Sequence, residues 1–343
     1  MLPKKIVISL PNWLGDIVLS LPTIKGMRWL FPESRLAVLV RANFAALFKY
    51  NPDVDEVIAY QRGGGVRKFL SGWKMARTMR EKHFDLALIL PRSFNSALLT
   101  FLSKIPQRIG YAADARSLLL TQTIHRSKHL LEQHRVYYFL NLLNHFGRHI
   151  PVSAPQIHTG REEARWVTNT RHELNLPVKH YLVGFNAGAA YGAAKCWFPE
   201  RYAQLAHKLV EQFNAHILLF GSGLEAAVNA RIVRDGPKGR VWDLSGRTDV
   251  LQLAAVLKSC HFLVTNDTGP MHLAAAVGTP VVAIFGPTDP VTTAPFGHNH
   301  ILVRQAVPCS PCLERTCPRH DQYCLDLVTV SAVLDACRNI TGR

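Results

Sequence analysis

The 343-residue sequence lacks any uninterrupted run of about 18 apolar residues, the length that a membrane-spanning helix requires. It also lacks low-complexity segments and short internal repeats. The first residues resemble a signal peptide, with two lysines before an apolar run. However, Asp16 and two prolines interrupt the run, and no small-residue cleavage site follows. We therefore expect a cytoplasmic protein with access to the inner face of the membrane.

Acidic side chains are scarce relative to basic ones. The chain has 24 Asp and Glu against 40 Lys and Arg, a formal net charge of +16, and its 16 histidines would add to that charge at mildly acid pH. Such an excess indicates an anionic partner, namely a nucleic acid, a phosphorylated substrate or a membrane surface, although many basic proteins bind no polyanion. Because the sequence shows no basic stripe interleaved with aromatic residues and no reader motif, a nucleic acid is not the expected partner.

Short aliphatic runs alternate with amphipathic segments along the chain, which is long enough for two domains. The aliphatic runs lie at residues 6–10, 36–40, 57–60, 86–90, 181–185, 217–220, 262–265, 281–285 and 301–303. The amphipathic segments lie at residues 22–30, 68–82, 134–146 and 201–213. Continuous aliphatic runs indicate strands covered on both faces, and their alternation with helices indicates parallel sheets joined by right-handed crossovers.

This alternation weakens between about Ile150 and Lys179, where a Pro-rich stretch and one polar helix at 162–174 interrupt it. We therefore predict an α/β fold of two doubly wound, Rossmann-like domains, residues 1–175 and 176–343, that face a cleft. Ligands of such sheets bind beyond the carboxyl ends of the strands. Residues that directly follow a strand are therefore the candidate functional residues.

The stretch NDTGPMH follows the run at 262–265 and opens an Ala-rich helix. Asp267 or Thr268 is suited to cap this helix, and Gly269 lets a ligand approach the backbone closely. The free N–H groups and the partial positive charge of a helix N-terminus form an anion site, to which Thr268 and His272 could add donors. Asp267 could instead accept ligand hydroxyls. A well-capped core helix without a ligand is the alternative interpretation, but it leaves the glycine and the histidine without a role.

A Gly- and Ala-rich loop with one lysine follows the run at 181–185. Gly188 and Gly192 make the loop flexible and leave room for a phosphate group, and Lys195 supplies a positive charge without a metal. A surface lysine on a flexible loop is the competing interpretation.

A third strand–glycine–helix junction is FGSGLEAA, residues 220–227. Gly221 and Gly223 suit a tight turn, and Glu225 lies where a negative charge at the start of a helix is favoured. The complete dinucleotide-binding fingerprint is missing, because it needs a third spaced glycine and a later acidic residue.

In the first half, Asp16 lies where the loop after the first strand becomes a helix. It could cap that helix, or it could act as a general base toward a bound hydroxyl group. Further basic residues follow other strands and could receive a phosphorylated acceptor, unless they only form a solvated basic surface. These residues are Arg62, Arg67, Lys68 and Arg92.

Four of the seven cysteines cluster near the C-terminus, and the first two have the spacing of a metal-binding knuckle. They are Cys309, Cys312, Cys317 and Cys324. A structural zinc, with His320 as a possible further ligand, and a loop of reduced thiols are both open, whereas disulfides are not expected in a cytoplasmic chain.

Several of these motifs together, in this order, resemble bacterial lipopolysaccharide heptosyltransferases, which form glycosyltransferase family 9. The motifs are NWLGDIVLSLP, GAAYGAAKCWFPERYAQLA, FGSGLE, TNDTGPMHLAAAVGTPVVAIFGPTDP and the helix HRVYYFLNLLNHFG. The Trp–Leu–Gly–Asp form and the longer loop before Lys195 are more similar to the second heptosyltransferase of the pathway than to the first.

This resemblance implies a GT-B fold and no metal at the active site. We also expect a monomer and no other cofactor. The donor would be ADP-L-glycero-D-manno-heptose, transfer would invert the anomeric centre, and the acceptor would be the first heptose of the anionic core on lipid A. By position in the motifs, Asp16 would be the base and Lys195 would bind phosphate. The other implied donor-site residues are Gly188, Glu225, Thr248, Asp267, Thr268, Gly269 and His272. Of these, Thr248 differs in residue type from the family.

Two other interpretations stay open. Within the family, a first or third heptosyltransferase or another family 9 enzyme would differ in acceptor or sugar. Outside catalysis, a basic two-domain protein could sense a nucleotide, and it would not need Asp16.

Overall fold

A computed structural model describes residues 2–61, 65–148, 150–176 and 181–342, without the side chains of residues 65–71. The chain forms two compact units, Met1–Pro155 and Gln156–Arg343. The sequence placed the boundary at 175–176 instead. The predicted and observed boundaries differ because the polar helix Arg161–Glu173 packs against the helix Val250–Lys258 and so belongs with the second unit.

The first unit is an open parallel sheet with helices around it. Its strands are β1 (Lys5–Ser9), β2 (Arg35–Arg41), β3 (Glu56–Tyr60), β4 (Leu86–Ile89), β5 (Gln107–Tyr111) and β6 (Gln122–Ile124). Its α-helices are α1 (Leu14–Leu30), α2 (Gly65–Glu81), α3 (Phe94–Leu102), α4 (Lys128–Glu132) and α5 (Arg135–Leu140), with 3₁₀ turns at Ala42–Phe48, Arg116–Leu119 and Asn141–Phe146. The strand order is β3-β2-β1-β4-β5-β6, so the winding direction reverses between β1 and β4.

The second unit repeats this plan. Its strands are β7 (Tyr181–Asn186), β8 (Ala215–Leu219), β9 (Val241–Asp243), β10 (Phe262–Asn266), β11 (Val281–Ile284) and β12 (His300–Val303). Its α-helices are α6 (Arg161–Glu173), α7 (Pro199–Phe213), α8 (Ala226–Asp235), α9 (Val250–Lys258), α10 (Gly269–Ala276), α11 (Pro290–Thr293), α12 (Tyr323–Asp326) and α13 (Val330–Thr341), with 3₁₀ turns at Ala193–Lys195 and Gly223–Glu225. The order β12-β11-β10-β7-β8-β9 places the reversal between β7 and β10.

The predicted fold class is confirmed. Both sheets are parallel throughout. The central strands are buried along nearly their whole length, as their continuous aliphatic runs predicted. Removal of this apolar surface from water is the main stabilising contribution in each unit.

Three strands were not predicted, because they lack an aliphatic run. β6 and β9 have three residues each at the sheet edges, where burial is incomplete, and β5 (QRIGY) begins with two polar residues. The first helix was also predicted too short. It starts at Leu14 rather than Pro22, because the loss of one N–H donor at Pro22 is outweighed by the buried face formed by Ile17, Val18 and Ile24.

Within the described ranges, no helix is both long enough and apolar enough to cross a bilayer.

Candidate active site

The residues that follow β7 and β10 lie side by side at the carboxyl edge of the second sheet. These two strands are neighbours in register, with Thr265 opposite Asn186. Because the winding direction reverses between them, the helices that follow lead away in opposite directions and leave a crevice at this edge. The Lys195 loop and the mouth of α10 both open there.

Lys195 forms a buried ion pair with Asp267. Its Nζ lies 2.6 Å from Asp267 Oδ2, and the two side chains are 12% and 5% exposed. Thr288 Oγ1 donates a second hydrogen bond to the same carboxylate oxygen at 2.7 Å. Because a buried pair is costly to break when one partner is removed, this arrangement fixes the ammonium group in one place.

The structure gives Asp267 a contact that the sequence did not predict, since its carboxylate pairs with Lys195 instead of capping α10. The N-cap residue is Thr268, whose own side chain makes no capping hydrogen bond. The Thr268 hydroxyl instead accepts a hydrogen bond from Asn186 Nδ2 at 3.2 Å. The first turn of α10, with Gly269 at its start and the buried His272 in it, keeps the character of an anion site.

Two buried asparagines that the sequence analysis did not single out join the two loops. Asn266 donates from Nδ2 to the carbonyl of Ala187 at 2.7 Å, and its Oδ1 accepts from the Trp197 backbone N–H at 3.1 Å. Asn186 donates to the carbonyl of Gly188 at 3.3 Å as well as to Thr268. An asparagine as the last residue of a buried strand was the signal that could have identified both.

Glu225 lies directly over Gly188. A Cβ atom added to Gly188 would stand 1.9 Å from Glu225 Oε1, so only glycine leaves room for this carboxylate. Glu225 Oε2 accepts a hydrogen bond from the Ser222 N–H at 2.6 Å, which closes the 3₁₀ turn before α8. Thr248 lies in the loop after β9, which is joined to this turn by the Gly246 N–H and the Gly221 carbonyl at 2.9 Å.

The Cys-rich segment, residues 309–324, packs against the Lys195 loop. The Tyr191 hydroxyl donates to the Leu313 carbonyl at 2.8 Å, and the Ala194 N–H donates to the Arg315 carbonyl at 3.1 Å. The Tyr191 ring lies between two cations, 4.8 Å from Lys195 Nζ and 5.1 Å from Arg315 Cζ. The segment therefore supports the loop that carries the lysine.

The four cysteines of this segment are free thiols. In the parts of the chain that the structure covers, no three His, Cys, Asp or Glu side chains are grouped so that they could hold a metal ion.

Asp16 lies at the corresponding edge of the first sheet, in the first turn of α1. It lines a cavity of about 160 Å³. The other lining residues are Pro11, Leu90, Pro91, Arg92, Arg135, Tyr138 and Phe139. Because β1 and β4 flank the reversal in this sheet, the cavity is at the position where a doubly wound sheet binds its ligand.

Arginine side chains dominate the electrostatics of this cavity. Arg92 was predicted, whereas Arg135, whose guanidinium lies 5.2 Å from the Tyr138 ring centroid, was not. Behind them, the fully buried Arg116 donates to the carbonyl of Pro91 and, from Nε, to that of Tyr111 at 2.9 Å. Burial lowers the pKa of Arg116 to about 10, so it stays charged at neutral pH.

The structure does not describe the side chains of the other predicted acceptor residues. Arg62 falls among the residues that the structure does not describe, and the side chains of Arg67 and Lys68 are not described either. The backbone of the latter two belongs to α2, which begins at Gly65, so the predicted loop is already helical there.

Comparison with known proteins decides the family. Residues 72–322 match the model of glycosyltransferase family 9 (heptosyltransferase). The chain belongs to this family. It is therefore a glycosyltransferase, and the resemblance that the motifs indicated is confirmed.

Individual family 9 relatives match over most of their length. The lipopolysaccharide heptosyltransferase 2 of Escherichia coli K12 is 29% identical over 309 residues, 88% of each chain. The lipooligosaccharide heptosyltransferase 2 of Campylobacter jejuni is 27% identical over 342 residues, 98% of each chain. Among solved structures, E. coli ADP-heptose LPS heptosyltransferase II is 26% identical, with a TM-score of 0.83 over 98% of both chains. A family 9 glycosyltransferase from Veillonella parvula, 22% identical, has a TM-score of 0.88 over 98% of this chain and 97% of its own. The fold is thus that of the GT-B heptosyltransferases.

Proposed function

We propose that this enzyme transfers L-glycero-D-manno-heptose from ADP-heptose to the first heptose of the lipopolysaccharide inner core, as a monomer at the cytoplasmic face of the inner membrane. The names of the relatives support this substrate class. The observation that carries the proposal is that each unit has a site at its sheet edge: an ion-paired lysine beside a helix N-terminus in one, and a carboxylate among arginines in the other.

The second unit would bind the donor. Lys195, the Thr268 hydroxyl and the backbone N–H groups at Gly269 would hold the diphosphate, with His272 as a further donor. The ion pair with Asp267 occupies some of the N–H donors of the Lys195 ammonium group and orients the remaining donors. Glu225 would accept the ribose hydroxyls, with Gly188 giving it room, and Thr248 would lie near the adenine.

The first unit would bind the acceptor. Arg92 and Arg135 match the phosphate and carboxylate groups of an inner core, and Arg62, Arg67 and Lys68 would extend this surface. Asp16 would take the proton of the acceptor hydroxyl. The acceptor oxygen would then attack C1 from the face opposite the leaving group, which inverts that centre.

As the bond between C1 and the phosphate oxygen breaks, negative charge grows on the departing ADP. Lys195 and the amide groups at the mouth of α10 would bind this charge more strongly than the intact donor, and so would stabilise the transition state. These donors would supply the stabilisation without a metal.

The deciding experiment combines turnover and binding. ADP-heptose is incubated with core acceptors of defined length, and the products are read by mass spectrometry, which also distinguishes transfer to the first heptose from transfer elsewhere. Asp16→Asn should lower turnover by about 10²-fold or more while calorimetry finds unchanged ADP affinity. Glu33→Gln, which alters an exposed carboxylate of the same unit, is the control.

Lys195→Ala should show the opposite pattern, with weaker ADP binding. An Asp16→Asn enzyme that kept most of its turnover would require another base. An active enzyme that extended only acceptors without a first heptose would refute the assignment to the second heptosyl transfer.

A further inference from the structure

Apolar side chains are exposed along one side of α3. Phe94, Leu98 and Phe101 are spaced by four and three residues and therefore share a face of this helix. Phe94 is 43% exposed and Phe101 is 44% exposed, whereas Ala97, one helical turn from each of them, and Thr100 are buried. The helix thus turns two phenylalanines outward while it packs on its small residues.

The neighbouring 3₁₀ turn adds to this face. Leu118 is 92% exposed, close to the maximum for a leucine side chain. Arg108 joins the turn to the helix, because its Nε donates to the Leu119 carbonyl at 2.7 Å and its guanidinium lies 5.4 Å from the Phe101 ring centroid. We call Phe94, Leu98, Phe101 and Leu118 the α3 face.

Cations surround the C-terminal end of this face. Arg80 donates from Nη2 to the Leu102 carbonyl at 3.0 Å, and the exposed Lys104 directly follows the helix, with its N–H bonded to the Phe101 carbonyl. Together with Arg108, which lies over the Phe101 ring, they bring three cationic residues to the C-terminal end of α3. Apolar side chains rimmed by Lys and Arg are the pattern of a surface that lies in the headgroup region of an anionic bilayer.

The distribution of charge over the chain agrees with this pattern. Residues 1–155 contain 22 Lys and Arg against 9 Asp and Glu, whereas residues 156–343 contain 18 against 15. Most of the positive excess, 13 of the 16 net charges, therefore belongs to the unit that carries the α3 face. A nucleotide-sugar site alone would not require this asymmetry, since the proposed donor site is in the other unit.

We propose that the α3 face is the membrane-docking surface of this enzyme and that its partner is an anionic phospholipid bilayer. The proposal rests on the proposed function in one respect, namely that the acceptor is anchored in a lipid bilayer. Arg92 of the acceptor cavity lies two residues before α3 and is therefore next to the α3 face. This face is short, because Phe94 and Phe101 are about 10 Å apart along the helix at about 1.5 Å per residue. Docking on this face would hold the cavity close to the headgroups, where the first core sugars emerge.

Vesicle sedimentation of the full chain tests the docking. The protein should sediment with vesicles of phosphatidylcholine and phosphatidylglycerol, more weakly with phosphatidylcholine alone, and less at high salt. The double variant Phe101→Ser with Leu118→Ser should lower the partition coefficient by about tenfold or more. Its matched control is Leu224→Ser with Val291→Ser, since these second-unit side chains are 95% and 64% exposed.

The charge contribution has its own pair of variants. Lys104→Gln should weaken binding to the anionic vesicles roughly fivefold at low salt, whereas Lys238→Gln, an exposed lysine of the second unit, should not. In transfer assays, the Phe101 and Leu118 variant should raise KM for an acceptor embedded in vesicles and leave kcat and KM for a delipidated, water-soluble acceptor unchanged.

Sedimentation needs no turnover, so a failure of the proposed transfer reaction would not be confused with a failure of docking. Wild-type partitioning by the Phe101 and Leu118 variant would overturn the proposal. The proposal would also be overturned if sedimentation equilibrium showed that the wild type is a dimer and the variant is a monomer, because a second copy of the chain would then cover the α3 face.

Discussion

Gly188→Ala is a small change with a large expected effect on nucleotide binding. The new methyl carbon would lie 1.9 Å from Glu225 Oε1 and within 2.6 Å of the adjacent carbons of that side chain. No carboxylate can stay at these distances, so Glu225 must rotate away. In doing so it gives up the hydrogen bond from the Ser222 N–H at 2.6 Å.

The magnitude follows from the proposed role of the Glu225 carboxylate as an acceptor of hydrogen bonds from ADP. A hydrogen bond to a charged group contributes about 1.5–3 kcal/mol, which corresponds to roughly 10- to 150-fold in affinity. Because Glu225 is partly exposed to solvent, we expect the lower end, about tenfold weaker ADP binding. The free energy of unfolding should fall by only about 1 kcal/mol, the net contribution of the lost hydrogen bond, because the methyl group meets one flexible, partly exposed side chain.

Calorimetric titration with ADP measures the effect, and two variants control it. Gly223→Ala changes the neighbouring turn, where an added Cβ meets no atom within 4 Å, so ADP affinity should stay at the wild-type value. In a Glu225→Ala background the clash disappears, and Gly188→Ala should then have no further effect on ADP affinity. Equal ADP affinity of Gly188→Ala and the wild type would refute the reasoning.

Three further predictions concern other parts of the chain. Tyr191→Phe removes the hydrogen bond to Leu313 and should weaken ADP binding about two- to tenfold by loosening the lysine loop, whereas wild-type affinity would show that the loop needs no such support. Iodoacetamide at pH 8 should modify the exposed Cys309 before Cys196, because burial raises the pKa of Cys196 to about 11 and the thiolate is the reactive form; peptide mass spectrometry gives the order. Burial lowers the pKa of His300 to about 4. As the pH drops from 6.5 toward 4, the imidazole is therefore protonated in the unfolded chain before it is protonated in the folded one. The free energy of unfolding should fall over this range, by at most about 1.4 kcal/mol per pH unit. Urea titrations of the wild type and of His300→Asn check this, and an identical pH dependence of the two proteins would exclude His300 as its cause.

Local patterns were sufficient to predict the architecture. A continuous aliphatic run such as VVAI at residues 281–284 can only be satisfied by burial on both faces, and helices between such runs force a parallel sheet. The mouth of α10 was predictable for the same reason, since threonine, glycine and proline at a helix start act within a single turn. The patterns failed where tertiary packing overrides them, as at Pro22 inside α1 and in the short edge strands β6 and β9.

The sequence by itself determined the fold class, the strand ends at which the candidate site residues lie, and the family. Only the tertiary structure decided which of the predicted residues act together. Lys195 and Asp267 are 72 positions apart, and nothing in either segment shows that they pair. Likewise, Arg135 lines the Asp16 cavity only because distant parts of the chain meet at the edge of the first sheet. The Cys-rich segment contacts Tyr191 for the same reason at the edge of the second sheet. Aliphatic periodicity records what each segment must bury, whereas contacts between polar side chains depend on where the folded chain brings those segments together.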